Sequence, residues 1–365
     1  MASGGSAIPL LRRVEGCVGQ ENARRRAHPC SRTFHCAPSQ EGNRTFYISF
    51  QGTDYLLHSP SFVSWAIHQS LTKLTSAPIH FNKTRIAPTP SGFLHVGNIL
   101  SFSITAALAR KHGAKILLRI DDLDRARVNQ EYLTDIFDTL RFLGIPWDEG
   151  SRNADDFEAR FSQMHRMQLY NDALEQLAAS GFVFACTCSR KQLIEAGNCV
   201  CLNKQIPLNT PEASWRLRTD QAATLRVKNY DGAIIQAPLP AEMESFVVRK
   251  KDGFPAYQLT SIIDDLFYGI DLIVRGEDLW ASTLAQIQLA AMMGKATFSN
   301  TVFYHHPLLL EGDGKKLSKS AGSTSVRYLR QEGRSVADVF GLISALLMLP
   351  EKANNWQQLA GFILS

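Results

Sequence analysis

Residues 83–98 read KTRIAPTPSGFLHVGN. Thr84 to Ala87 is a short extended segment, Pro88-Thr89-Pro90-Ser91-Gly92 is a turn, and a helix is expected from about Gly97 to His112. The apolar run KILLRID, Lys115 to Asp121, suits a buried strand and completes a strand, helix, strand unit. A strand that ends in a Pro/Gly turn and leads into a helix presents free backbone N–H groups and the positive helix end, a setting for phosphate. Gly97 would let the backbone approach a bound base closely, and His95 is placed to donate to a phosphate chain. Alone, a His beside a Gly in such a turn is more often a packed or capping residue.

Outward from this unit, strands continue to alternate with helices, the pattern of an α/β domain with a mainly parallel sheet. Asn129 is the expected N-cap of a helix carrying Leu133, Ile136, Phe137 and Leu140, which Gly144 and Pro146 end. A second helix is expected from Phe157 to Ser180, a β-leaning stretch from Ser214 to Arg249, and strand and turn from Ile262 to Gly276. Helix over Thr283 to Met293 and strand over Thr301 to Leu310 follow. Residues 1–80 have no clear period, although Phe46 to Phe50 suits a strand and Ser61 to Leu71 a helix. Their clusters Arg12-Arg13 and Arg24-Arg25-Arg26 fit an organelle-targeting peptide or a plain extension of unknown role.

The 365 residues are 45% hydrophobic and 20% charged, which excludes collagen-like, coiled-coil and mostly disordered chains. The longest nearly apolar run, Val339 to Leu349, falls well short of the roughly 20 residues that span a bilayer, so no membrane association is expected. Net charge is +5, of which residues 1–80 contribute +4. Any nucleic-acid binding by the rest must therefore use a local patch rather than bulk attraction. Of seven cysteines, Cys186, Cys188, Cys199 and Cys201 fall within sixteen residues, a cluster that argues for a metal site in a reducing compartment, here the cytoplasm, over a disulfide framework.

A second signal stands more than 200 residues downstream at GDGKKLSKS, Gly312 to Ser320. Its glycines permit motion and its lysines supply charge for a polyphosphate; by itself it is also an ordinary solvated loop. The pair HVGN and KLSKS, in this order, resembles the two signatures of class I aminoacyl-tRNA synthetases. The words RIAPTPSGFLHVGN, LLRIDDLD and AYQLTSIIDDLFYGIDLIVRGED are similar to the glutamyl branch, over about residues 83–330.

The resemblance implies a Rossmann-like catalytic domain over 81–330 that activates glutamate with ATP, Mg²⁺ being carried on the phosphates, and passes it to tRNA. Arg85, Ala87, Thr89, Tyr257 and Arg275 would line the glutamate pocket. Two guanidinium groups suit a substrate with two carboxylates, although either arginine also reads as half of a structural salt bridge. His95, Gly97, Asn98 and Lys319 would bind ATP, with His95, Lys316 and Lys319 stabilising the transition state. Where the family commonly has Glu in its RIEDxD word this chain has Asp121, one methylene shorter, opposite the substrate ammonium.

The family also implies an inserted subdomain, here about 182–250, that docks the tRNA acceptor end and in some members ligates zinc. The four clustered cysteines can close a tetrahedral Zn²⁺ site or stand as reduced thiols. Arg216, Arg218, Lys228 and Arg249-Lys250-Lys251 are candidate phosphate contacts or a solvated basic face, and Trp215 reads as core. Only 45 residues follow Ser320, expected as a helical segment over 331–365, too few for an anticodon-binding domain. That pattern resembles the glutamyl-Q tRNA(Asp) synthetase branch, whose acceptor is the queuosine base of tRNA(Asp), and a monomer is expected. The alternatives are a truncated glutamyl-tRNA synthetase charging a tRNA 3′ end, a noncatalytic tRNA-binding relative, and a small-molecule adenylyltransferase.

Overall fold

The structure is a computed structural model. It describes residues 80–196, 199–309 and 325–364, together with the backbone of three earlier strands. Those strands, β1 (Thr33–Pro38), β2 (Arg44–Phe50) and β3 (Thr53–Leu57), form an antiparallel meander within a first unit, Met1–Lys73. The helix expected over Ser61 to Leu71 lies outside the described residues.

The second unit, Leu74–Ser365, holds the remaining elements. In chain order they are β4 (Lys83–Ile86), α1 (Val96–His112), β5 (Lys115–Leu118), α2 (Gln130–Phe142), β6 (Glu149–Gly150), α3 (Met167–Ala179), β7 (Val183–Cys186) and α4 (Arg190–Ala196). They continue with β8 (Ser214–Leu217), β9 (Leu225–Asn229), β10 (Ile234–Ala237), β11 (Val247–Arg249), α5 (Tyr257–Phe267), β12 (Leu272–Gly276), α6 (Trp280–Met292) and β13 (Val302–His306). The last helices are α7 (Val326–Gln331), α8 (Val336–Leu346) and α9 (Trp356–Leu364).

Seven strands form one sheet in the order β10-β9-β13-β12-β4-β5-β6. Every neighbouring pair is parallel except β9 and β10. Side chains alternate across a strand, so each strand feeds two cores. Ile116, Leu118, Leu272, Val274 and Val302 pack on one face with α1 and the C-terminal helices. Leu117, Ile273 and Phe303 pack on the other with α3, α5 and α6. Strands buried on both faces explain the near-continuous apolar runs in the sequence.

Helix α1 is apolar around much of its circumference because it lies between the sheet and α9. Gly113, at φ 67°, takes the left-handed conformation that ends it. Val339, Phe340 and Ile343 of α8 and Trp356 and Leu359 of α9 belong to the same core, and the Trp356 indole donates to the Gly144 carbonyl at 2.8 Å. Phe340 is fully buried, so Phe340→Ala should destabilise the catalytic unit by about 3–5 kcal/mol in urea unfolding.

Three expectations change in detail. Tyr257–Phe267, read partly as strand, is a helix whose Leu259, Ile262 and Ile263 share its buried face at helical spacing. The helix expected from Phe157 is interrupted at Ser162: a π-helical turn, Phe157–Phe161, and a 3-10 turn, Gln163–Arg166, precede the α-helix at Met167, because the Asp122 carboxylate captures the Ser162 hydroxyl at 2.6 Å and the Gln163 amide at 2.8 Å. Finally, the strands of the inserted stretch expected over 182–250 divide between two sheets: β7, β8 and β11 make a small antiparallel sheet, whereas β9 and β10 extend the main one.

Candidate active site

The C-terminal ends of β4, β5, β12 and β13 open on a cleft of about 410 Å³, the position at which parallel α/β sheets hold ligands. Arg85, Ala87 and Thr89 reach it from the end of β4, Arg119 and Asp121 from beyond β5, Arg275 and Gly276 from β12, and His306 from β13. His95, Gly97 and Asn98 enter from the start of α1 and Tyr257 from the start of α5. All nine expected glutamate- and ATP-binding positions that fall among the described residues line this one cleft. Lys316 and Lys319 lie outside the described residues; Leu309, just before that stretch, lines the cleft, and Ser325, just after it, pairs with His95.

His95 and Asn98 form a reciprocal cap on α1. The His95 Nδ1 accepts from the Gly97 amide at 3.1 Å and the Asn98 Oδ1 accepts from the His95 amide at 3.1 Å. With Nδ1 used as an acceptor, the neutral ring carries its proton on Nε2, as a donor. A Cβ on Gly97 would stand 3.0 Å from the imidazole, so the ring sits where it does because that position is glycine. Gly97→Ala should therefore displace His95: we expect at least a tenfold lower turnover in ATP–pyrophosphate exchange, with stability changed by less than about 1 kcal/mol because alanine favours the helix. Both are readable on one purified variant.

Beneath the cleft lie four buried arginines, Arg85, Arg119, Arg166 and Arg275. Asp265 Oδ1 accepts from Arg85 Nε at 3.1 Å and from Arg119 Nη1 at 2.7 Å. Arg119 also grips Asp121 with two bonds, at 2.8 and 2.9 Å. Arg166 pairs with Asp264, which in addition accepts from Tyr170 at 2.6 Å and Gln163 at 2.9 Å. Burial would lower the Arg119 pKa, but Asp121, Asp265 and Asp264 hold it well above its usual value. Burial pushes the Asp121 carboxyl up, against the pull of Arg119.

Arg275 differs from the other three. Its Nη2 donates to Gln286 Oε1 at 2.9 Å, while Nε and Nη1 have no hydrogen-bond partner. Burial, with Arg85 and Arg119 adding repulsion against the attraction of Tyr257 and Asp265, lowers its pKa to about 10. The salt-bridge reading thus holds for Arg85, whereas no carboxylate is bonded to Arg275. A buried cation without a counter-ion, on the wall of a cleft, is a site for an anionic group.

The profile of class I tRNA synthetases (E and Q), catalytic domain, matches residues 82–365. The chain belongs to that synthetase family. A glutamyl-Q tRNA(Asp) synthetase from Rhodobacter capsulatus is 32% identical over 71% of this chain and 99% of its own length. One from Nitratidesulfovibrio vulgaris is 32% identical over 73% and 87%. Glutamate–tRNA ligase 2 of Acidiphilium cryptum is 35% identical over 73% of this chain, which spans 61% of that relative. Among solved structures, glutamate-tRNA synthetase from Elizabethkingia anophelis superposes with a TM-score of 0.61 at 20% identity, covering 77% of this chain and 65% of that one, a likeness of fold.

In this synthetase the cysteine cluster sits on the small antiparallel sheet. The four Sγ atoms lie within 4.8 Å of one another, with Cys186 to Cys199 at 3.3 Å and Cys188 to Cys201 at 3.4 Å, and all four are free thiols. Thiolates about 2.3 Å from a tetrahedral zinc stand roughly 3.8 Å apart, so the set fits that ion. Among the expected phosphate contacts, Arg216 donates to the Ser245 carbonyl, Arg218 lies over Phe184, Arg249 over Trp215, Lys250 pairs with Asp252 and Lys251 donates to the Thr187 carbonyl. Trp215 is half-buried, its indole N–H held by the Leu208 carbonyl.

The sequence reading did not single out Arg119, Asp264, Asp265, Gln286 or His306. Arg119 and Asp265 stand inside the quoted words RIDD and IIDD, so the carboxylate pairs were visible without their partners. His306 bonds its Nδ1 to the Pro307 carbonyl at 3.0 Å, which leaves Nε2 as a buried acceptor without a partner, and burial lowers its pKa. Among the described residues no helix is long and apolar enough to cross a membrane.

Proposed function

We propose that the chain condenses glutamate with MgATP to glutamyl-adenylate and transfers the glutamyl group to a tRNA, the queuosine base of tRNA(Asp) being the acceptor. The observation that carries the amino-acid assignment is the uncompensated charge on Arg275. At that end of the cleft Arg85 and Arg119 are bonded to Asp121 and Asp265, whereas Arg275, although Asp278 also lines the cleft, is bonded to no carboxylate. Glutamate brings a side-chain carboxylate to that guanidinium; glutamine would leave it without one. Asp121, one methylene short of the family's usual Glu, takes the ammonium through lone pairs that Arg119 does not use.

In the first step an oxygen of the glutamate α-carboxylate attacks the α-phosphorus, and the bond to the β-phosphate breaks as pyrophosphate leaves. His95, donating from Nε2 at the positive end of α1, steadies the charge that builds on the phosphates. Lys316 and Lys319, of the KLSKS word, join it. Gly97 and Asn98 border the nucleotide. In the second step a queuosine hydroxyl attacks the glutamyl carbonyl, AMP leaves, and the hydroxyl proton passes to solvent.

Cys186, Cys188, Cys199 and Cys201 hold a structural Zn²⁺ that shapes the small sheet for the tRNA and takes no part in the chemistry. A cluster of four cysteines suits a reducing, cytoplasmic setting, and a monomer is the working unit proposed. Names of similar proteins favour two acceptors, queuosine and a tRNA 3′ end. Transfer of labelled glutamate to tRNA(Asp) with and without queuosine separates them: label stable only on the modified tRNA supports the first, and label on any tRNA lost on removal of the 3′ terminus supports the second.

A further inference from the structure

We infer that Gln286 is a positioning residue that fixes Arg275 while leaving its charge available to an acidic side chain in the cleft. The inference rests on the glutamate-activating reading above and adds to it the residue that sets selectivity.

Arg85, Arg119 and Arg166 are each bonded to at least one aspartate, which orients the guanidinium and cancels its charge. Arg275 is equally buried, yet the group bonded to it is a neutral amide. An arginine offers only donors, so the amide oxygen of Gln286 must face it, and Nε2 points away and has no partner. Gln286 is itself fully buried on α6, whose apolar face shares a core with Ile273 of β12, the strand bearing Arg275. The guanidinium rests over the Phe303 ring, 5.2 Å from its centroid, which favours a cation without neutralising it.

Other charged or titratable neighbours do not fill the gap. His305 bonds to Thr283 and is held neutral by burial and by Arg275 itself, its pKa lowered to about 3. Arg85 and Arg119 repel Arg275, and Asp265 spends its bonded oxygen on the other two arginines. A glutamate at position 286 would fit the same space and pair with Arg275 internally. The amide supplies the same geometry without that charge, so the pocket keeps a directed cation for the substrate.

The test uses the full chain in glutamate-dependent ATP–pyrophosphate exchange, with glutamine as a competing ligand. Gln286→Glu should fold at least as stably as wild type, raise KM for glutamate at least tenfold, leave KM for ATP within twofold, and reduce the preference for glutamate over glutamine at least tenfold. Gln286→Met removes the anchor but keeps the charge: KM for glutamate should rise several-fold with most of the preference retained. A merely structural role would lower activity with both amino acids alike and leave their ratio unchanged, and that result overturns the inference. Should Gln286→Glu fail to fold, an unchanged glutamate KM in Gln286→Met overturns it equally. Wild-type protein with no exchange at all would instead sink the glutamate-activating reading itself.

Discussion

Arg275→Met is expected to leave the protein folded while lowering kcat/KM for glutamate in ATP–pyrophosphate exchange by roughly 10²–10³-fold, chiefly through KM. The size follows from losing a charge-assisted contact in a buried site, about 3–4 kcal/mol. Stability moves little because two effects oppose. Methionine removes a buried cation that has no counter-ion, which is favourable, and leaves Gln286 Oε1 without its donor, which costs about 1–3 kcal/mol. The same change at Arg119 would behave differently, since Asp121 and Asp265 would both lose a partner, and unfolding would obscure the kinetics. An Arg275→Met protein that binds glutamate normally would remove the basis for assigning the amino-acid site.

The second large effect concerns the cysteine module. Its apolar core consists of Phe184, Cys186 and Cys201, with Cys188, Cys199, Leu202 and Ile206 packed against it. So small a core does not hold a fold unaided, whereas a four-thiolate zinc contributes on the order of 10 kcal/mol or more at neutral pH. Cys201→Ser should therefore lose the metal, bound at one equivalent in wild type, and deprotect the amides of residues 199–217 to hydrogen exchange. Adenylation without tRNA should change less than about threefold, because none of the four cysteines lines the cleft, while transfer to tRNA should fall sharply. Wild type with less than half an equivalent of zinc, or unchanged exchange protection in Cys201→Ser, would contradict this account.

How far the sequence carried the description depended on whether the signal was local. The turn at 88–92 and helix α1 could be read because the cap at His95, Gly97 and the terminating Gly113 all belong to one continuous stretch of chain. The parallel sheet was legible from strands buried on both faces. The carboxylate–arginine network beneath the cleft was not, because its partners are far apart in the chain: Arg85 and Asp265 are separated by 180 residues and Arg166 and Asp264 by 98. No periodicity announces which aspartate will meet which arginine. Gln286 was less visible still, since one of two glutamines in an apolar helix, Gln286 and Gln288, carries no pattern that singles it out. The interruption of the helix before Met167 is a related case, in which a tertiary bond from Asp122 to Ser162 overrides local propensity.

The most direct measurement is ATP–pyrophosphate exchange by the purified chain with glutamate, glutamine or no amino acid, in the absence of tRNA. Exchange that requires glutamate, is at least tenfold weaker with glutamine, and is abolished in His95→Ala is the predicted result. Exchange independent of the amino acid, or none with any of the three, would contradict the claim that this cleft adenylates glutamate.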